Sequence, residues 1–138
     1  MRISAENLKN ECRKIWPTAF YITQAEYYWV PKLSEVEAFV KSNQVDQLPF
    51  IDGILECELY SFFLLGDVKR MGIEKKRDHW SFAKGFGLMW NGEVEQHAAN
   101  IFLAQNNGVM QVYCAEPQTD YIWKADAQRD LILLADFC

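Results

Sequence analysis

The sequence predicts an α+β fold, with helices in the first half of the chain and strands in the second. Apolar residues recur at helical spacing in the first half. The second half contains apolar runs separated by Asn-Gly turn signals, which are typical of antiparallel hairpins. This order of elements is the α+β pattern, because it lacks the alternation of strand and helix that builds parallel sheets.

Composition limits the class of protein. The 138 residues, half of them hydrophobic and 14% aromatic, predict a single domain over residues 1–138 and exclude disorder. The net charge of −5 leaves no electrostatic footprint for nucleic acid. We find neither a signal peptide nor an apolar run long enough to span a bilayer, so we expect a cytoplasmic protein without a membrane partner. The oligomeric state is left open.

The four cysteines are Cys12, Cys57, Cys114 and Cys138, and their wide spacing matches no zinc pattern. In a reducing compartment such cysteines stay as free thiols. We therefore expect no disulfide and no bound metal.

Two amphipathic helices are predicted near the N-terminus. Ser4 is a suitable N-cap for the first, Leu8 and Cys12 follow at helical spacing, and Pro17 ends it. The second helix begins with the capping-box sequence Ser34–Glu37. The other segments of this region are predicted as a short strand at 19–22 and as a strand or packed loop at 27–31.

A buried central helix is predicted over the apolar run Cys57–Val68. A helix that is hydrophobic on all sides is a buried one, and the length of the run favours helix over strand. The basic and polar residues 69–79 predict a loop.

The second half predicts an antiparallel sheet. Phe82–Trp90 reads as a strand that ends in a turn at Asn91-Gly92, and Tyr121–Trp123 reads as a further short strand. Gly85 and Gly87 permit close approach by either a ligand or a neighbouring element. The tail from residue 131 is compatible with helix or strand.

The hairpin around Asn106-Asn107-Gly108 has a register that can be argued from the sequence. A two-residue turn at either position places odd residues of the first strand beside even residues of the second. The shared face is then apolar and ends in a histidine and a carboxylate; its members are His97, Ala99, Ile101, Leu103, Met110, Val112, Cys114 and Glu116. In one register His97 and Glu116 are directly opposite. In the other they are diagonal neighbours, roughly 7–8 Å apart at the backbone.

These residues suggest a nucleophilic site. A carboxylate that holds one imidazole nitrogen of His97 leaves the other free to act as a base. Cys57, at the predicted start of the central helix, is the candidate nucleophile, because a helix N-terminus favours the thiolate. Each residue also has a structural alternative. His97 would be a histidine at the edge of the core that is hydrogen-bonded to a nearby acid, and Cys57 would be a small buried hydrophobic residue. Glu56 and Glu58 oppose a thiolate, since nearby negative charge raises a thiol pKa.

The order Cys57, His97, Glu116 resembles that of papain-like cysteine proteases. The resemblance is strongest to the C-terminal domain of Marasmius oreades agglutinin and its bacterial and phage relatives. Four local matches span roughly residues 20 to 125; they are Tyr27–Pro31, Glu56-Cys57-Glu58, His97–Asn100 and Glu116–Thr119. The resemblance implies a papain-like fold, with N-terminal helices and a buried central helix packed on an antiparallel sheet.

The resemblance also implies a cysteine peptidase or amidase with a Cys-His-Glu triad. Cys57 would be the nucleophile, His97 the general base and Glu116 the orienting group, with Asn100 and Gln118 in support. The substrate would be a peptide or an amide; acyl transfer by the same triad is a further option. The alternative is a catalytically inactive phage or bacterial structural or interaction protein that retains the papain-like fold.

Further expectations concern ligands. The resemblance also raises a calcium site. Relatives carry an additional acidic residue where this chain has Leu59, so such a site would rest on Glu58 alone here. We therefore expect no cofactor. Because no lectin-type module precedes the domain, we expect sugar binding not to carry over. The five tryptophans are expected in the core and lining a cleft, with Trp90 beside the cleft near His97.

Overall fold

The computed structural model describes residues 1–52 and 56–137, and it confirms a mixed α+β architecture. A six-stranded sheet lies between one helix on one face and two helices on the other. The helices are α1 (Ala5–Arg13), α2 (Leu33–Ser42) and α3 (Cys57–Glu74), and a 3₁₀ turn covers Val45–Gln47. The strands are β1 (Arg2–Ser4), β2 (Phe20–Ile22), β3 (Tyr27–Trp29), β4 (Phe82–Trp90), β5 (Glu93–Asn106), β6 (Val109–Glu116), β7 (Tyr121–Lys124) and β8 (Leu131–Asp136).

The sheet has the strand order β2-β8-β4-β5-β6-β7. All neighbouring strands run antiparallel except β2 and β8, which pair in parallel at one edge. The expectation of an antiparallel sheet therefore holds for the centre and fails at that edge. The tail, for which the sequence allowed helix or strand, is strand β8, and β1 pairs with β3 in a separate ribbon.

The central hairpin has the register that a turn at Asn107-Gly108 requires. Asn106 pairs with Val109, and Asn100 pairs with Ala115. Asn107 and Gly108 have φ of 51° and 78°, the left-handed conformation that a tight hairpin turn needs. His97 and Glu116 are therefore diagonal neighbours on one sheet face.

The two sheet faces carry two cores. Odd residues of β5 such as Ala99 and Ile101 pack with Leu8 and Cys12 of α1. Even residues such as Phe102 pack with residues of α2 and α3, which include Val36, Val40, Leu64, Leu65 and Val68. Because side chains alternate along a strand, α3 packs on the face of the even residues of β5, whereas His97 and the other odd residues lie on the opposite face.

Helix α1 begins as predicted, because Ser4 Oγ accepts a hydrogen bond from the backbone N–H of Asn7 at 3.2 Å. Helix α2 begins earlier than predicted. Its first residue is Leu33, and Glu35 accepts a hydrogen bond from the backbone N–H of Lys32 at 3.1 Å. The carboxylate that caps this helix is therefore Glu35, and the prediction of Ser34 as the N-cap is wrong.

Helix α3 differs from its prediction in length and burial. It continues to Glu74, so the loop predicted from residue 69 is wrong over its first six residues; Lys, Arg, Met and Glu there are good helix formers. The helix is also not buried on all sides, since Phe62 is 55% exposed and Phe63 40% exposed. In the described part of the chain, no helix is long and apolar enough to cross a membrane.

Gly85 and Gly87 lie where neighbouring residues of the sheet leave no room for a Cβ atom. A Cβ on Gly85 would lie 2.6 Å from Ile101 Cδ1, and a Cβ on Gly87 would lie 2.6 Å from the backbone oxygen of Leu131. The second contact is the more restrictive, because a backbone atom of β8 cannot rotate away.

We expect Gly87→Ala to lower the free energy of unfolding by about 1–3 kcal/mol, through overpacking against β8. The matched control is Gly66→Ala on α3, where a new Cβ meets nothing within 4 Å. That substitution should stabilise the protein by about 1 kcal/mol, because alanine has the higher helix propensity. Urea denaturation of both variants measures the difference, and equal effects would contradict this account of Gly87.

Candidate binding cleft around His97 and Glu116

A cleft of about 220 Å³ opens where β5 begins and β6 ends. Its lining combines aromatic rings with carboxylates and one imidazole. The lining residues are Trp90, Asn91, Glu93, Glu95, His97, Glu116, Thr119, Tyr121 and Trp123. Because they come from β4, β5, β6, β7 and the turns between them, the sheet itself builds the cleft.

The predicted His97–Glu116 pair lies within this cleft. His97 Nε2 and Glu116 Oε2 are hydrogen-bonded, and the two side chains are only 13% and 19% exposed. The other carboxylate oxygen of Glu116 accepts a hydrogen bond from the backbone N–H of Gln118 at 3.1 Å. Gln118 therefore contacts Glu116 through its backbone, and its supporting role stays a prediction. Both oxygens of Glu116 are held.

The electrostatic environment favours the imidazolium form of His97. Burial alone would lower the pKa of His97, because it removes the charged ring from water. The hydrogen bond and charge of Glu116, with the charges of Glu95 and Glu93, outweigh burial and raise the pKa of His97 above its ordinary value. The pair is a partly buried ion pair over a wider pH range than a free histidine would allow.

Trp90 lies beside His97, as the sequence predicts. Its indole N–H donates to the backbone oxygen of His97 at 2.9 Å, and its ring meets the imidazole edge to face at 6.2 Å. Trp90 is only 4% exposed, so it forms the inner wall of the cleft. These two contacts fix both the backbone and the ring of His97.

The opposite wall is an aromatic stack. The rings of Tyr121 and Trp123 are 5.7 Å apart with an interplanar angle of 22°. Trp123 also meets Trp90 edge to face at 6.4 Å, which joins the two walls. Tyr121 is 56% exposed, so this wall presents an aromatic surface to solvent.

Asp130 holds this end of the molecule together. Its buried carboxylate accepts hydrogen bonds from the backbone N–H of Asn91 at 2.7 Å, the indole N–H of Trp123 at 3.1 Å and the backbone N–H of Asp126 at 2.8 Å. Its backbone oxygen accepts from the Trp16 indole at 3.0 Å. Sequence reasoning missed this role, because two of the four donors, Trp16 and Asn91, lie 114 and 39 residues away along the chain. The local signals were the short spacings from Trp123 and Asp126 to Asp130.

Cys57 is the first residue of α3 and is half-buried. It is not among the residues that line the cleft, and no contact recorded for the described residues joins it to His97 or Glu116. Helix α3 packs on the even face of the sheet, whereas His97 belongs to the odd series. The grouping of Cys57 with His97 and Glu116 stays a prediction.

Asn100 connects α3 with the sheet. It is fully buried, and its side-chain N–H₂ donates to the backbone oxygens of Ser61 at 3.0 Å and Ala83 at 3.1 Å. These contacts position α3 on β4 and β5, and they lie on the face opposite to that of His97. The structure thus brings Asn100 to α3 and not to His97, and its supporting role stays a prediction.

Glu58, on which a calcium site would rest, forms an ion pair with Lys84 at 3.3 Å and is 72% exposed in its side chain. Among the residues the structure describes, no three His, Cys, Asp or Glu side chains are placed to hold a metal ion. Cys12, Cys57 and Cys114 are free thiols, whereas Cys138 lies outside the described residues.

Comparison with known proteins gives structural relatives alone. No protein-family model and no curated protein matches the chain. The structure of the PSL1a–E64 complex is similar, with a TM-score of 0.80 at 19% identity, over 99% of this chain and 51% of that one. So is Polyporus squamosus lectin bound to the human-type influenza-binding epitope Neu5Acα2-6Galβ1-4GlcNAc. There the TM-score is 0.76 at 18% identity, over 99% of this chain and 49% of that one. The chain thus spans about half the length of the solved chains it matches.

This likeness overturns several predictions. The neighbours are lectin structures, which contradicts the predicted cysteine hydrolase and its peptide or amide substrate. It lends no support to a phage or bacterial structural protein, the stated alternative. The expectation that sugar binding would not carry over stays a prediction, because the chain matches only about half of each of these solved chains. At such low identity the likeness shows the fold, because unrelated functions are built on shared folds.

We expect Glu116→Gln to lower the pKa of His97, because burial remains while the charge that favours the imidazolium is removed. Titration of the His97 ring protons by NMR measures the change. Glu26→Gln, an exposed carboxylate outside the cleft, is the control and should leave the pKa of His97 unchanged. The same His97 pKa in the native protein and in Glu116→Gln would contradict the electrostatic account.

We expect Asp130→Ala to lower the free energy of unfolding by about 3 kcal/mol or more, because it leaves buried donors without an acceptor. The control is Asp78→Ala, which removes a partly exposed ion pair with Arg2, whose N–O distance is 2.9 Å. Exposed pairs contribute roughly 0–1 kcal/mol. Urea denaturation compares the two, and a loss no larger for Asp130→Ala would refute the role assigned to it.

Proposed function

We propose that this protein binds carbohydrate, and that the cleft around His97 and Glu116 is its glycan site. The observation that carries the proposal is the combination, in one cleft, of a solvent-facing aromatic stack and a fixed polar pair. Binding sites for small molecules typically combine apolar walls with a few well-placed polar groups that set orientation.

The aromatic wall suits the apolar face of a sugar ring. Tyr121 and Trp123 lie almost parallel, and Tyr121 is exposed, so a sugar ring could pack against this stack without any rearrangement of the cleft. Rigid aromatic rings bury large contact areas and lose little conformational freedom on binding. The hydrogen bond from Trp123 to Asp130 holds the wall in place before a ligand arrives. The stack would therefore be a preformed platform.

The polar wall suits sugar hydroxyls. Carboxylates accept hydrogen bonds, and Glu93, Glu95 and Glu116 all line the cleft. With Nε2 of His97 engaged by Glu116, its Nδ1 is the ring nitrogen left for a ligand. We propose His97 and Glu116 as ligand-binding groups, with Trp90 as the positioning residue behind them.

The size of the cleft sets the scale of the ligand. Its volume of about 220 Å³ is below the roughly 300–1,000 Å³ of sites for drug-sized molecules. A cleft of this size would hold the terminal unit of a glycan, with the rest of the chain in solvent.

One structural neighbour supports the proposal by its described function. It is a lectin bound to a trisaccharide, and its likeness covers 99% of this chain. Since this chain matches about half of that lectin, the location of the glycan on this chain rests on the cleft described above. We keep "papain-like" only as a proposed description of the chain path, in which α3 packs on the sheet that carries His97 and Glu116.

We expect Tyr121→Ala to weaken glycan binding about five-fold, for the loss of roughly 1 kcal/mol of ring contact. Because Tyr121 is exposed, we expect the variant to stay folded, which circular dichroism checks. The control is Tyr27→Ala, a partly exposed tyrosine outside the cleft, which should bind as the native protein does.

A glycan array on the native protein identifies the ligand, and calorimetry then compares the variants. No binding to any glycan, or equal loss in Tyr121→Ala and Tyr27→Ala, would refute the cleft as a glycan site.

A further inference from the structure

We infer that the cleft accepts a terminal sugar without a carboxylate and excludes sialylated glycans. The inference rests on the proposed glycan site and adds the class of sugar. It follows from the charged groups that line the cleft, which are carboxylates with the single exception of His97.

Three carboxylates line the cleft, those of Glu93, Glu95 and Glu116. Of the described residues in the lining, none is Lys or Arg, and only His97 can carry a positive charge. That charge is already paired with Glu116 by a hydrogen bond. Two carboxylates are therefore left without a cation in the lining.

Arg129, a cation at the rim of this region, is directed elsewhere. Its guanidinium donates to the backbone oxygen of Asn91 at 2.9 Å, and it packs against Gly92. It belongs to the turn after β4 and does not line the cleft. It offers no paired, bidentate contact of the kind that arginine makes with a carboxylate ligand.

The consequence is a difference in affinity between sugars. The carboxylate of a sialic acid would enter beside the like charges of Glu93 and Glu95. Both residues are exposed, so the repulsion is strongest at low salt and weakens as salt screens it. A neutral sugar has no such penalty, and its hydroxyls donate to the same carboxylates. The negative lining thus rejects one class of ligand and hydrogen-bonds the other.

The test uses Galβ1-4GlcNAc and Neu5Acα2-6Galβ1-4GlcNAc, which differ only by the sialic acid. Calorimetry at low and at physiological salt gives the ratio of their affinities. We expect the neutral glycan to bind at least ten-fold more tightly, with the ratio smaller at the higher salt. In Glu93→Gln/Glu95→Gln the ratio should fall at least five-fold, because both substitutions remove charge from the lining.

The matched control is Glu26→Gln/Glu74→Gln, which removes two exposed carboxylates outside the cleft and should keep the native ratio. Equal or tighter binding of the sialylated glycan would overturn the inference and leave the glycan site standing. So would equal shifts in the two double variants. Binding of neither these glycans nor any other on an array would overturn the proposed function and the inference together.

Discussion

The hydrogen bonds to the buried carboxylate of Asp130 are the constraint on which this end of the structure depends. They join the turn after β4, the aromatic residue Trp123 of β7 and the loop before β8. Burying a carboxylate costs free energy unless hydrogen-bond donors surround it. The folded protein is therefore stable only when these segments lie together around Asp130. The walls of the cleft are placed by a residue that does not line it.

The His97–Glu116 pair shows how the surroundings of a motif decide what it can do. Taken by itself, the pair is half of a catalytic triad, and that interpretation led to the hydrolase prediction. In the folded protein both Glu116 oxygens are occupied, Trp90 fixes His97, and the facing wall is aromatic. The role proposed for the same two side chains is therefore recognition of a polar ligand.

The sequence predicted the elements whose signals are local. Asn107-Gly108 and Asn91-Gly92 adopt the left-handed turns that their residues favour, and β4 has the predicted bounds. The errors occurred at helix ends. Polar residues after Val68 predicted a loop where α3 continues, and the sequence Ser34–Glu37 predicted a capping box where Glu35 caps the helix at Lys32. In both cases a local effect decided the helix end and the hydrophobic pattern did not show it. The helix propensity of residues 69–74 extends α3, and a capping hydrogen bond sets the start of α2.

The sequence by itself determined which residues of the hairpin share a face, and so placed His97 and Glu116 on one face, because side chains alternate strictly along a strand. The structure chose between the two registers that keep this face, since Asn106 pairs with Val109. Only the tertiary structure decided which helix covers each face, what Gly85 and Gly87 meet, and which donors Asp130 accepts. Those contacts join residues distant in sequence, such as Trp16 and Asp130. No periodicity encodes them, since they arise when separately formed elements pack together and buried polar groups must find partners.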